Sequence, residues 1–113
     1  MIGTMPRYVR PEMESPLEAA IEAFGNRIRV QILGALREHG PATRGEVAAA
    51  IGAGHSNTVF HHLRGLEQLG LIEADPPAGG RVSGQRVRYL LIEDKVDALY
   101  TVLGQALRAE ESE

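Results

Sequence analysis

Ser56-Asn57-Thr58-Val59-Phe60-His61-His62-Leu63-Arg64-Gly65-Leu66-Glu67-Gln68-Leu69, followed by Gly70-Leu71-Ile72, is the stretch on which the reading of this chain turns. At about 100° per residue, Val59, Leu63 and Leu66 fall on one stripe of a helix, with His62 and Leu69 at its border. That stripe predicts core. The opposite stripe holds Asn57, His61, Arg64 and Gln68, spaced 4, 3 and 4 residues apart. A solvated helix face more often carries Glu and Lys. Asn and Gln can pair with adenine edges and Arg with guanine, so this set suits a helix lying in a DNA major groove. Taken alone, the helix also fits an ordinary polar surface, and the segments around it decide between the two.

Upstream, Thr43-Arg44-Gly45-Glu46 has capping-box spacing, in which Thr43 accepts from the backbone of Glu46 and Glu46 reaches back. The helix it opens runs through Val47-Ala48-Ala49-Ala50-Ile51, a small-residue surface, and stops at Gly52-Ala53-Gly54, where glycine supplies the positive φ of a tight turn. Downstream, Gly70 ends the second helix and Leu71-Ile72-Glu73-Ala74 starts a strand. Asp75 to Gly84 has turn chemistry and little apolar content, which predicts an exposed loop. Val87 to Ile92 returns as a second strand. Arg81, Arg86 and Arg88 lie on this loop and strand, with no acidic residue between Asp75 and Glu93, so the hairpin is a cationic wing. Two helices across a tight turn, followed by a basic ribbon, present a rigid helix and an arm to adjacent parts of a duplex.

The flanks read as a dimer device. Ser15-Pro16-Leu17-Glu18 has capping-box spacing with Pro at the first helical position, and opens a helix carrying Leu17, Ala20, Ile21 and Phe24. After a kink at Gly25-Asn26 the apolar pattern resumes through Ile28, Ile32, Leu33 and Leu36, up to His39-Gly40-Pro41. Near the other end, Asp94 is the expected cap of a helix whose Val96, Leu99, Tyr100, Leu103 and Leu107 form an apolar stripe. In so small a domain this stripe needs a cover, which is the Leu17, Ile21, Phe24 face, either within one subunit or from a second copy. A two-fold dimer sets its two recognition helices about one DNA turn (~34 Å) apart.

Phe24-Gly25-Asn26-Arg27-Ile28-Arg29-Val30-Gln31-Ile32-Leu33, the glycine turn, Thr58 to Leu63, Gly70-Leu71-Ile72 and the wing together resemble the ArsR-type winged helix-turn-helix transcriptional regulators. The resemblance spans residues 17 to 107. It matches Asn26 and Arg29 to the family's Asn and Arg ahead of the Ile-Leu pair, Ser56 to Arg64 to its recognition helix, and Arg81 to Arg88 to its wing. It implies a mainly α fold of about five helices with a two-stranded antiparallel wing. The stripe, the wing and the resemblance together make Arg44, Ser56, Asn57, Thr58, His61, Arg64, Gln68, Arg81, Arg86 and Arg88 the expected DNA-contacting residues. The partners are then a palindromic double-stranded DNA operator and a second copy of the chain. Many relatives sense metals through Cys pairs in the first motif helix or Asp and His ligands on the last helix. This chain has no Cys, and its last helix offers Asp94 and Asp97 without a His. His55, His61 and His62 crowd one end of the recognition helix, but adjacent residues project about 100° apart. No metal or other cofactor is expected, and no effector is readable.

Length and composition fit one small regulator. The chain has 113 residues, of which 43% are hydrophobic, enough for a core that still gains from oligomerisation. The expected organisation is a flexible N-terminal arm over 1–14, the winged domain with its dimerisation helices over 15–109, and an acidic tail over 110–113. The net charge of −3 divides unevenly: residues 43–92 hold five Arg against four acids, and residues 93–113 hold two cations against six acids. Association follows the local field, so the total does not exclude nucleic acid. No stretch approaches the ~20 apolar residues of a membrane span and no signal-like run follows Met1, which makes the expected location cytoplasmic. Absent cysteine excludes a disulfide framework. Gly79 to Gly84 lacks the Gly-Lys-Ser/Thr ending of a phosphate loop, and no nucleophilic constellation is arranged, so an enzyme is the least favoured class. The remaining alternatives are a plasmid-partition or DNA-architectural protein and an interaction module that has lost DNA binding.

Overall fold

Side chains fix where the helices begin. In the computed structural model, which describes residues 15–52, 56–77 and 86–108, Ser15 caps α1 (Pro16–Phe24) by accepting from the Glu18 amide at 3.2 Å. Asn26 caps α2 (Arg27–His39) by accepting from the Arg29 amide at 3.1 Å. The kink expected at Gly25-Asn26 is therefore a full break between two helices. Thr43 and Glu46 close the capping box of α3 (Arg44–Ile51) from both sides, at 3.1 and 2.9 Å. Gly52 ends α3 in the left-handed conformation, φ 74°, where a Cβ would strain the backbone. Ala53 and Gly54 lie outside the described residues. So do the arm over 1–14, the tail over 110–113, and the loop over 78–85 with Arg81.

Next comes α4 (Ser56–Gln68), then Gly70 at φ 81°, then β2 (Ile72–Asp75), β3 (Arg88–Leu91) and α5 (Glu93–Arg108). The sheet has a third strand that the sequence reading did not foresee: β1 (Ala42–Thr43) pairs antiparallel with β3, giving the order β1-β3-β2. Two residues carry no readable alternation, so this strand exists only because β3 is there to pair with it. One expectation is corrected at α5, which Asp94 does not cap. The Ile92 carbonyl accepts from the Lys95 and Val96 amides at 3.0 and 3.1 Å. That starts the helix a residue earlier and leaves Glu93 and Asp94 in its first turn, where carboxylates complement the helix dipole.

A single core joins these elements. Ile32 and Leu36 of α2, Val47 of α3, Val59, Leu63 and Leu66 of α4, Leu71, Ile72 and Tyr89 are buried together. Complete burial of one such aliphatic side chain contributes roughly 1.5–3 kcal/mol, so the three α4 residues anchor that helix firmly. Their burial turns the opposite stripe outward. No described helix is long and apolar enough to cross a membrane.

Candidate nucleic-acid interface

With Val59, Leu63 and Leu66 wholly buried, Asn57, Thr58, His61, Arg64 and Gln68 all stand exposed on α4. Ser56 opens the helix. His62, at the border, has a different job. Its Nδ1 accepts from Arg29 Nε at 3.2 Å, while Arg29 also donates to the Glu22 carbonyl at 3.4 Å and lies 3.7 Å from the Glu22 carboxylate. Burial, then the Arg29 guanidinium and His61, push His62 below the ordinary histidine range. It is therefore a neutral imidazole with its proton on Nε2, tying α4 to α2. Gly65 makes room for this, because a Cβ there would collide with the Arg29 guanidinium.

Three more cations flank the exposed stripe from other elements. Arg44 is the first residue of α3, and Arg86 and Arg88 are exposed at the base of the wing, with Arg88 opposite both Thr43 and Asp75 in the sheet register. The carboxyl of Glu46 is held below its ordinary range, first by the Thr43 amide and further by Arg86 and Arg88, which places these two guanidiniums within electrostatic reach of the start of α3. A cleft of about 410 Å³ opens there, bordered by Arg44, Gly45, Phe60 and Arg86. Phe60 was not among the residues singled out from the sequence. It is half-buried, and the Arg44 and Arg64 guanidinium carbons lie 4.7 and 5.9 Å from its ring centre. Chemically, the surface offers amide, imidazole and guanidinium groups matched to base edges, with flanking cations matched to phosphates.

A second surface is apolar. Val96 and Leu99 of the α5 stripe turn inward against the subunit's own core, whereas Tyr100 and Leu107 are 68% and 76% exposed. Ile21 of α1 is 53% exposed, and α1 packs along α5 with Phe24 edge-on to Tyr100 at 6.4 Å. Leu17 and Leu103 are half-buried. The stripe is thus divided between covering this subunit and facing outward. Arg37 of α2 reaches Asp97 of α5 at 2.9 Å, both exposed. Among the described residues, no three His, Asp or Glu side chains are grouped to hold a metal ion.

A helix-turn-helix domain family model matches residues 24–74, the segment from the end of α1 to β2. In solution, the homodimeric winged helix-turn-helix DNA-binding domain (fragment 1–100) of a possible ArsR-family transcriptional regulator from Mycobacterium bovis is 27% identical, with a TM-score of 0.59 over 87% of this chain and 84% of that one. This chain shares the winged helix-turn-helix fold of that domain. A crystal structure of a 1–100 fragment of a possible transcriptional regulatory protein from the same organism agrees, at 28% identity and a TM-score of 0.59 over 80% of this chain and 90% of that one. An ArsR family transcriptional regulator seen in another crystal has the same fold, with a TM-score of 0.64 at 22% identity over 88% of this chain and all of that one. No curated protein matches the chain. In winged-helix terms, α3 and α4 are the helix-turn-helix, α4 is its second helix, and β2 and β3 form the wing. The resemblance read from the sequence and the mainly helical fold hold.

Proposed function

We propose that this winged helix is a sequence-specific, double-stranded DNA-binding transcriptional regulator that acts as a homodimer. The observation that carries the reading is the exposed set Asn57, His61, Arg64 and Gln68 on a helix whose other side is locked into the core, with Arg44, Arg86 and Arg88 beside it. Arg64, Asn57 and Gln68 read bases, while Ser56, Thr58, Arg44 and the wing arginines, Arg81 included, engage the flanking backbone. The exposed Ile21, Tyr100 and Leu107 on α1 and α5 meet their copies across a two-fold axis, in line with the homodimeric state of the M. bovis domain. Such a dimer reads a palindrome with half-sites about one turn (~34 Å) apart. The resemblance to ArsR-type regulators, and no residue of the site, supports a repressor role in the cytoplasm, in which the bound dimer obstructs polymerase. Selection of bound sequences from random duplexes tests this: a palindromic consensus is expected, and a pool that stays random contradicts it.

A further inference from the structure

Arg44 stands where elementary electrostatics disfavours it. It is the first residue of α3, and the positive end of the helix dipole repels a cation there. Beneath its guanidinium lies the ring of Phe60, at 4.7 Å. Arg64 follows Phe60 by four residues on α4, so it shares the same helix face and reaches the same ring, at 5.9 Å. An aromatic quadrupole attracts both cations, and it lets two like charges from different helices be held around one rigid body. Phe60 itself sits between the buried stripe and the exposed stripe, half-buried, bordering the cleft that Arg44 and Arg86 share. Packing alone would be served by a leucine at this border.

We propose that Phe60 is a positioning residue of the interface, its ring fixing Arg44 and Arg64 as a pair before nucleic acid arrives. This rests on reading that surface as the DNA-binding face. Arginine side chains lose rotamer freedom when they bind, and a side chain already held loses less, so the ring raises affinity through the two guanidiniums without touching DNA. The pairing also couples the base-reading helix to the helix in front of it.

The test uses the full chain, the duplex enriched from a random pool, and a mixed-sequence duplex of equal length. Phe60→Leu is expected to weaken binding to the enriched duplex by roughly two- to fivefold for each guanidinium released, while Phe60→Tyr, which keeps the π face, stays near the parent. In an Arg44→Ala/Arg64→Ala background, Phe60→Leu is expected to change nothing further. Parental affinity in Phe60→Leu, or the same loss in that double background, overturns the proposal while leaving the DNA reading intact. A parent chain that enriches no duplex overturns both. Should Phe60→Leu fail to fold, NMR of the parent decides: Arg44 and Arg64 δ-methylene protons shifted upfield by the ring support the pairing, and random-coil positions overturn it.

Discussion

Arg29 and His62 are 33 residues apart in the chain and 3.2 Å apart in space, and the consequences reach stability and pH together. Truncating Arg29 leaves His62 Nδ1 without its donor, so Arg29→Ala is expected to cost roughly 1–3 kcal/mol in urea unfolding; a change within about 0.3 kcal/mol, the scatter found for unrelated sites, would count against the linkage. Because His62 is held below its ordinary value, the unfolded chain binds a proton that the folded chain refuses between that depressed pKa and about pH 6.5. Stability therefore rises with pH through this window, levels off above it, and falls as pH drops below about 6.5. His62→Gln is expected to flatten the dependence, and identical pH profiles for both proteins would refute the assignment. Gly65 belongs to the same cluster. Gly65→Ala in an Arg29→Ala background is expected to stabilise by about 1 kcal/mol from helix propensity, but to lose that gain in the parent, where the methyl meets the guanidinium.

At the scale of elements, the wing gives the clearest expectation. If Arg86 and Arg88 neutralise phosphates, replacing either by Ala lowers the slope of log affinity against log salt by about 1 and weakens all duplexes alike; slopes unchanged for both variants would remove the wing from the interface. The helices were legible because their signals are local. The Thr43-Glu46 box, the Val59-Leu63-Leu66 stripe and the stop at Gly70 all act within four residues or one helix face. What escaped the sequence depends on elements meeting. Strand β1 is two residues long and is defined by β3. The grip of Arg29 on His62 needs α2 against α4, and the stacking of Arg44 on Phe60 needs the start of α3 against α4. The start of α5 is not legible to the residue, because an acidic first turn looks alike whether its carboxylates cap the helix or merely face its dipole. Periodicity alone makes the α5 stripe one surface, yet Val96 and Leu99 serve the subunit's own core.

For the whole molecule, Arg44, Arg86 and Arg88 come from elements beside α4, whereas the exposed apolar residues Ile21, Tyr100 and Leu107 lie on other helices, α1 and α5. Leu103 borders the apolar groove shared by α1, α2 and α5. A charge there would be buried unpaired in the proposed dimer, at a cost of several kcal/mol. Leu103→Glu is accordingly expected to sediment as a monomer and to lose the second half-site with its partner; a dimer of parental stability would move the interface elsewhere. The claim on which everything else depends is that the exposed stripe of α4 reads base sequence. Its most direct test is titration of the parent chain and Arg64→Ala, at one fixed salt concentration, against the selected duplex and a scrambled one. Arg64→Ala is expected to lose roughly 1–3 kcal/mol on the selected duplex, to bind the scrambled duplex much as before, and to keep its fold. Equal preference for the selected duplex in both proteins would contradict the claim.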